Sequence, residues 1–211
     1  MSRVYLGNVT ALQGVNLRIE EGEYVALMGP SGSGKTTLVN LLGLLDTPTE
    51  GSVWHLGADT GTWSETVRSQ RRAFTISFIF QAFHLFEDRT VRENVEVGLV
   101  HQRVPPEVRA PRVEDAVGRV DLQHRIDAVA RTLSGGEQQR TAVARAIARR
   151  PRILICDEPV GNLDEDNASN VLDSIESAHK EGLTVVMVTH DPRVAARSQR
   201  IISLSPVGMK R

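Results

Sequence analysis

Apolar and polar residues alternate near the start of the chain in the pattern of strands with one buried face. Val15, Leu17 and Ile19 are separated by polar residues, and a tight turn at 21–22 divides them from the apolar run 24–28. This pattern predicts two strands joined by a turn. A glycine-rich segment follows, and then four leucines stand at the spacing i, i+3, i+4 and i+7 that predicts a helix packed on a sheet. These leucines are Leu38, Leu41, Leu42 and Leu45.

Strand-like and helical patterns alternate through the rest of the chain, although 58–70 is too polar to assign. Further strands are predicted at 52–56, 75–80, 152–156, 183–188 and 200–204, and helices at 136–149 and 167–180. The stretch 91–131 is helical except at 101–111, where Pro105, Pro106 and Pro111 interrupt regular structure. The alternation predicts an α/β fold with a mainly parallel sheet and a helical insertion.

Composition places the chain among ordinary folded proteins. Its 211 residues, 40% of them hydrophobic and 24% charged, suffice for one large domain. The 25 basic and 26 acidic side chains nearly cancel, so no bulk attraction to nucleic acid is expected. The lone Cys156 cannot form an internal disulfide, which favours a reducing, cytoplasmic location. Apolar runs of about six residues are too short for a membrane span, which needs about 20, and 1–8 carries no signal-peptide pattern.

The glycine-rich segment fits G-x-x-x-x-G-K-[ST], a phosphate loop. Its glycines let backbone N–H groups turn toward phosphates, Lys35 adds a cation, and Thr36 places a hydroxyl on Mg²⁺. An apolar strand precedes the segment and a helix follows it, as this chemistry requires. The predicted ATP-binding residues are Gly29, Pro30, Ser31, Gly32, Ser33, Gly34, Lys35, Thr36 and Thr37.

Two acids, Asp157 and Glu158, directly follow the apolar strand predicted at 152–156. Asp157 suits a Walker B role, which holds Mg²⁺ through the water shell of the ion. Glu158 then polarises the attacking water as general base. The alternative is that the pair only caps the next turn.

The segment 133–140 combines a helix start with two glycines. Ser134 and Glu137 have the spacing of a capping box. Gly135 and Gly136 weaken a helix, so they indicate close approach of the backbone to an anion such as a γ-phosphate. The alternative is a capping box with no ligand.

With these motifs the sequence resembles the ATP-binding cassette (ABC) family, whose signature is LSGGQ. Glu137 stands where glutamine is commoner, and Val160 replaces the threonine that usually precedes the Gly-Asn-Leu-Asp segment 161–164. The resemblance implies a P-loop NTPase (RecA-like) core and an antiparallel β subdomain at about 1–80 and 150–211, with a helical subdomain at about 82–149. It makes the whole chain, 1–211, a single ABC ATPase domain.

The resemblance also implies roles for individual residues. Gln81 corresponds to the Q-loop glutamine, which senses Mg²⁺ and the partner subunit, Asp164 to the D-loop, and His190 to the switch histidine. Tyr5 resembles the aromatic residue that stacks on adenine. Only four residues precede Tyr5, where relatives carry a first strand, so an incomplete antiparallel subdomain is expected. The implied Mg²⁺ partners are Thr36, Gln81 and, through water, Asp157.

Family membership further implies an ATPase with ATP and Mg²⁺ as cofactors. Two cassettes, identical or similar, pack head to tail, so that each ATP lies between one phosphate loop and the signature of the opposite subunit. That signature comprises Leu133, Ser134, Gly135, Gly136 and Glu137. The catalytic residues are Glu158, His190 and Gln81.

The implied biological role is to energise a transporter from the inner face of the cell membrane. A separate permease places its coupling helix near 82–86, and no nucleic acid partner is expected. The segments 80–85, 90–95 and 161–164 resemble the lipoprotein-releasing, macrolide-exporting and cell-division subfamily, which performs export or mechanical work. The alternative is a soluble ABC ATPase that acts on DNA or ribosomes. Segment 205–208 departs from the Asp-Gly hairpin of relatives.

Overall fold

The computed structural model describes residues 1–7 and 9–205, and its centre is a sheet of parallel strands. The strands are β1 (Arg3–Tyr5), β2 (Val9–Leu12), β3 (Tyr24–Met28), β4 (Trp54–His55), β5 (Ala58–Asp59), β6 (Ile76–Phe80), β7 (Ile153–Asp157), β8 (Thr184–Val188) and β9 (Arg200–Ser203). The helices are α1 (Lys35–Leu42), α2 (Glu65–Thr75), α3 (Val91–His101), α4 (Pro106–Arg119), α5 (Gly135–Ala148), α6 (Glu165–Lys180) and α7 (Pro192–Ala195). Short 3-10 turns lie at Thr60–Thr62, Gln123–Arg125 and Ala130–Thr132.

The central sheet has the strand order β6-β7-β8-β3-β9. Each neighbouring pair is parallel, so all the carboxyl ends meet at one edge, where Phe80, Asp157 and Val188 share a register. The buried apolar runs of β7 and β8 are typical of strands covered on both faces. The expected α/β class with a mainly parallel sheet is confirmed.

Alternate side chains of the central strands enter two cores. Ala26 and Met187 belong to the core shared with α3, α4, α5 and α6. Leu27 and Val188 belong to the core on the opposite face, where they join Leu38 of α1. The sheet therefore holds the phosphate-loop helix on one face and the helical insertion on the other.

Two antiparallel ribbons lie outside the central sheet. One pairs β1 with β2 and the other pairs β4 with β5. The strand predicted at 15–19 is wrong, because no strand is formed by this segment in the part of the chain that the structure describes. Its alternation is nevertheless real: Val15, Leu17 and Ile19 pack on the core, while Val15 N–H donates to the carbonyl of Met1.

The phosphate-loop helix is shorter than its leucine pattern predicts. It ends at Leu42 because Leu44 adopts a left-handed φ of +57° and the Leu45 N–H turns back to the Asn40 carbonyl at 2.8 Å. Gly43 lies against Phe78, where a Cβ would come within 2.5 Å of the phenyl ring. Leu45 is therefore outside the helix and is 47% exposed, which contradicts the prediction for that residue. The unassigned segment 58–70 contains β5 and the start of α2, whose residues are all at least partly exposed.

The helical insertion departs from prediction at its end and at its interruption. The sequence pattern predicts helix up to 131, but α4 ends at Arg119, and mainly turns and short 3-10 helices follow up to 131. The proline-rich interruption is confined to 102–105, and Pro111 lies inside α4. The ring of Pro111 removes one backbone donor, but the buried face formed by Val113, Ala116 and Val117 sustains the helix. None of the helices in the described part of the chain is long and apolar enough to cross a membrane.

Candidate nucleotide site

The phosphate loop connects β3 to α1, and its neighbours dictate glycine at two positions. A Cβ at Gly29 would lie 2.5 Å from the Leu204 carbonyl oxygen. Gly34 has a φ of +89°, and a Cβ there would lie 2.6 Å from Leu12 Cδ2. The loop therefore passes so close to β2 and to the segment after β9 that larger residues cannot fit.

The loop concentrates donors and positive charge at the start of α1. The ammonium group of Lys35 donates to the carbonyl oxygens of Gly29 (2.6 Å) and Pro30 (2.9 Å), so it lies over the loop. No side chain caps the first turn of α1, which leaves its N–H groups to bind an anion. Thr36 is exposed there, while Thr37 and Ser33 are buried.

The first acid of the pair, Asp157, is the last residue of β7. Burial raises the pKa of its carboxyl group, the neighbouring Glu158 raises it further, and the charge of Lys35 acts in the opposite direction. The charge of Lys35, which belongs to the phosphate loop, thus favours the ionised form of Asp157. A half-buried carboxylate beside a second acid gains most from a cation, so these residues fit a bound Mg²⁺.

The second acid, Glu158, is held by the segment after β8. Its backbone adopts φ +49°, and its N–H donates to the carbonyl of Val188 at 2.9 Å. Its carboxylate oxygen Oε1 accepts from the backbone N–H of His190 (3.0 Å) and lies 2.7 Å from His190 Nδ1. Oε2 accepts from the Thr189 hydroxyl at 3.3 Å, a contact that sequence reasoning missed.

The predicted Q-loop and D-loop meet beside this acid pair. Gln81 Nε2 donates to Asn162 Oδ1 at 3.0 Å. Together they border a cleft of about 410 Å³ whose lining is Phe80, Gln81, Ala82, Asp157, Glu158 and Asn162. The structure therefore gathers Gln81, Asp157, Glu158 and His190 at the carboxyl edge of the sheet, where open α/β sheets bind ligands.

The signature segment begins α5. Ser134 and Glu137 form the predicted capping box, in which Glu137 Oε2 accepts from Ser134 N–H at 2.8 Å. Hydrogen bonds from Asn167 hold Asp164 as the cap of α6. Within the described residues, no hydrogen bond or ion pair joins the signature to the phosphate loop of the same chain.

The two signature glycines have different reasons to be glycine. Gly136 is buried against Asn167 of α6, and an added Cβ would overlap its side chain, with even the Asn167 Cβ only 2.8 Å away. Packing within the chain already requires glycine at position 136, so Gly136 by itself does not indicate a ligand. Gly135 is exposed, and its nearest neighbour, Leu163, would be at an ordinary 3.6 Å.

Tyr5 belongs to β1 and contacts two charged residues, Asp46 and Arg3, that the sequence analysis did not identify as its partners. Its hydroxyl donates to Asp46 Oδ2 at 2.9 Å, and the Arg3 guanidinium carbon lies 4.6 Å from its ring centroid. Arg3 also donates to Asp46. The phenol is thus held at one end and covered on one face, while its side chain stays partly exposed.

A resident metal centre built by side chains alone is not found in the described ranges. No group of three or more His, Cys, Asp or Glu side chains there could hold a metal ion. This fits Mg²⁺, which is usually held by one or two side chains together with substrate phosphates and water.

A phosphate loop after a central parallel strand, with an acid pair at the end of a second parallel strand that one strand separates from the first, defines the class of P-loop nucleotide-binding proteins. A family profile described as ABC transporter matches residues 12–161. The chain therefore belongs to the ABC transporter family, of which it carries the ATPase domain. The expected family and fold class are confirmed.

Curated relatives cover almost all of the chain. The macrolide export ATP-binding/permease protein MacB of Bartonella henselae is 44% identical over 197 residues, which are 93% of this chain and 30% of MacB. The uncharacterized ABC transporter ATP-binding protein MJ1508 of Methanocaldococcus jannaschii is 43% identical, over 92% of this chain and 87% of the relative. The chain thus spans about 30% of the length of MacB and most of MJ1508.

Solved structures share the fold. The dimeric structure of MJ0796, a bacterial ABC transporter cassette, has a TM-score of 0.87 and 38% identity, and covers 100% of this chain and 94% of its own. A dimeric post-hydrolysis state of the MJ0796 cassette, bound to ADP and Pi, has a TM-score of 0.86 and 36% identity, with coverage of 100% and 95%.

Proposed function

We propose that this chain binds ATP with Mg²⁺, pairs head to tail with a second cassette around two ATP molecules, and hydrolyses them to drive a membrane permease. The observation that carries this proposal is the convergence of Lys35, Asp157, Glu158 and His190 at one edge of the sheet. Lys35 acts on the charge of Asp157, and Glu158 contacts His190 directly. These groups supply phosphate binding, metal binding and a base for water.

The nucleotide would be held mainly by the phosphate loop. Backbone N–H groups of the loop and the uncapped start of α1 would bind phosphate oxygens, and Lys35 would leave its loop carbonyls for the β- and γ-phosphates. Thr36, Gln81 and, through water, Asp157 would hold Mg²⁺, which supplies neutralisation of phosphate charge. Tyr5 would stack on adenine with the ring face that Arg3 leaves open.

Glu158 would act as the general base, with His190 and Thr189 as its supports. Three donors converge on its carboxylate, so its position relative to Asp157 is fixed before any nucleotide binds. A fixed carboxylate can accept a proton from an attacking water with little reorganisation. Gln81, bound to Asn162 of the D-loop segment, would report nucleotide occupancy to the neighbouring subunit.

The exposed position of the signature segment supports the pairing of two cassettes. Ser134 and Gly135 are exposed at the start of α5, away from hydrogen-bond contact with their own phosphate loop. The capping box engages the N–H groups of Ser134 and Glu137, while Gly135 and Gly136 add two further N–H groups at this helix start. Such groups attract anions, so a second chain could place its γ-phosphate there. The relative MJ0796 is solved as a dimer, which supports the pairing of two cassettes.

The permease would dock where 82–86 presents a rigid apolar surface. Phe86 is 56% exposed, yet its backbone is fixed because Asn94 accepts from Phe86 N–H and donates to the Phe86 carbonyl. An exposed aromatic on an ordered loop favours a protein partner. The name of MacB joins an ATP-binding part with a permease, which supports a permease partner and a location on the inner face of the membrane.

Export or mechanical work is the favoured task, since the MacB relative is named for macrolide export. The permease would select the substrate. The runner-up, an ABC ATPase acting on DNA or ribosomes, is separated by a simple assay: DNA or ribosomes should leave the ATPase rate unchanged, whereas stimulation by either one would favour the runner-up.

Steady-state ATP hydrolysis with Mg²⁺ tests the catalytic assignment. The parent chain should release phosphate, and Glu158→Gln should lose activity by about 10²- to 10³-fold, because the amide cannot accept a proton. Glu50→Gln, which alters an exposed carboxylate outside the site, is the matched control and should retain the parent rate. An unchanged rate for Glu158→Gln would remove Glu158 as the base.

Co-purification with a permease encoded beside this chain tests the docking surface. Phe86→Ser should abolish recovery of the complex while leaving the ATPase rate of the isolated chain unchanged. Trp54→Ser removes a similarly exposed aromatic from the β4–β5 ribbon and should leave recovery intact. Equal recovery of both variants would contradict docking at this surface.

A further inference from the structure

A buried glutamine of α5, Gln139, links the two segments that carry Gln81 and Glu158. It is fully buried, and its amide nitrogen donates to the carbonyl of Phe80 at 3.2 Å and to the carbonyl of Pro159. Phe80 directly precedes Gln81, and Pro159 directly follows Glu158. One side chain thus contacts the main chain next to both candidate catalytic residues.

This link lies where the sheet stops connecting the two segments. The ladder between β6 and β7 ends with the pair Phe80 and Asp157. Glu158 is still bonded to the Val188 carbonyl of β8 at 2.9 Å, but pairing between β6 and β7 does not extend to Gln81 and Glu158. The amide of Gln139 joins the two segments beyond the last pair of this ladder, through the carbonyls of Phe80 and Pro159.

Gln139 stands in an otherwise apolar stripe of α5. Ala142, Val143 and Ala146 follow at the spacing i+3, i+4 and i+7, and all are buried. The amide oxygen Oε1 is buried and has no hydrogen-bond partner among the described residues. An orphaned buried acceptor is costly, and an apolar residue of similar size would avoid that cost. Packing alone therefore does not account for glutamine at this position.

The same helix holds the other end of the Q-loop. Two turns after Gln139, the guanidinium of Arg145 donates to the carbonyl oxygens of Phe83 (2.9 Å) and His84 (2.6 Å). Gln81 and Ala82 therefore lie between two points at which the backbone is hydrogen-bonded to α5. Gln139 binds the carbonyl before them, and Arg145 binds the two carbonyls after them. The helix that begins with the signature also sets the position of the Q-loop.

We infer that Gln139 is a positioning residue that holds the Gln81 and Glu158 segments in register and ties both to the signature helix of the same chain. Under the proposed function, which this inference deepens, the signature contacts the ATP bound by the partner subunit. When α5 moves in response to that ATP, Gln139 transmits the movement to Gln81 and Glu158 in the nucleotide site of its own chain.

Kinetics and amide hydrogen exchange on Gln139→Met test the inference. Methionine keeps the length and volume but donates no hydrogen bond. We expect kcat to fall by about 10²-fold, the loss typical of a misplaced catalytic group, while the Kd for ATP is unchanged. In the nucleotide-free chain, exchange should accelerate at Gln81, Ala82 and Glu158.

Thr141→Val is the matched control. Thr141 is equally buried on the same helix, and its hydroxyl donates only to the Glu137 carbonyl within α5. It should keep the parent kcat and the parent exchange at Gln81 and Glu158. If Gln139→Met is insoluble, Gln139→Asn provides the same comparison, because it keeps the amide on a stem one methylene shorter.

Parent kcat and parent exchange in the Gln139 variants would overturn the inference, and so would equal losses in Thr141→Val. The exchange measurement needs no turnover. A parent chain without ATPase activity would therefore overturn the proposed function, while faster exchange in Gln139→Met would still support the positioning role.

Discussion

His190 Nδ1 lies 2.7 Å from Glu158 Oε1, and the backbone N–H of His190 donates to the same oxygen at 3.0 Å. The side chain and the backbone of His190 therefore both bind the same carboxylate oxygen of Glu158, the candidate base. The hydrogen bond and the negative charge of Glu158 raise the pKa of His190 above its ordinary value of 6.5, and Asp191 adds to this effect.

The first prediction concerns this pKa. Because it is raised, the charged contact is fully formed below pH 6.5 and weakens as the pH rises through the raised pKa. Titration of the His190 ring protons by NMR in the nucleotide-free chain should give a value above 6.5. In Glu158→Gln it should shift downward, since the amide carries no charge. Identical titration curves in the two chains would contradict the ion pair.

The second prediction concerns the packing of Gly136 on Asn167. Gly136→Ala should reduce both thermal stability and ATPase activity, because its Cβ overlaps the Asn167 side chain. Asn167→Gly removes all the overlapping atoms, at a cost of about 0.3 kcal/mol in helix propensity and of the hydrogen bond from the Asn167 amide to Asp164. The double variant should therefore be more active and more stable than Gly136→Ala alone. Calorimetry and phosphate release measure both, and additive losses would contradict the packing explanation.

The third prediction separates the ring of Tyr5 from its hydroxyl. If the ring stacks on adenine, Tyr5→Ala should weaken ATP binding by about 10-fold, within the range for an aromatic contact. Tyr5→Phe keeps the ring and loses the bond to Asp46, so its Kd should stay close to the parent value. Titration with a fluorescent ATP analogue gives the constants. Equal Kd values for Tyr5→Ala and the parent would assign Tyr5 to packing alone.

The sequence predicts motif positions well where the motif is local. The phosphate loop, the acid pair and the capping box of Ser134 and Glu137 are contiguous, and the chemistry of each depends on neighbours within a few residues. The strands that carry them are short apolar runs bounded by polar residues, so β6, β7 and β8 are found within one residue of their predicted bounds.

The features of the fold and the site that the sequence does not predict depend on contacts between residues far apart in the chain. The alternation at 15–19 marks burial on one side, but whether a neighbouring strand pairs with it cannot be read from the segment itself. The contacts of Gly43 with Phe78 and of Gly136 with Asn167 explain why glycine is needed at these two positions, and both partners are distant in the sequence. A detectable signal existed for Gln139: a polar residue in the apolar stripe of α5. Segment 206–211, which includes most of the predicted departure at 205–208, lies outside the described residues.

The molar mass of Glu158→Gln in solution tests the central claim most directly. Light scattering after size exclusion should give a monomer of 23.2 kDa with ADP and a dimer of twice that mass with ATP and Mg²⁺, because ATP that is bound but not hydrolysed keeps the two cassettes together. Adding Ser134→Arg, which places a bulky side chain at the exposed start of α5, should return the chain to the monomer even with ATP. A monomer in all conditions, despite measured ATP binding, would contradict the account of an ATP-driven dimer.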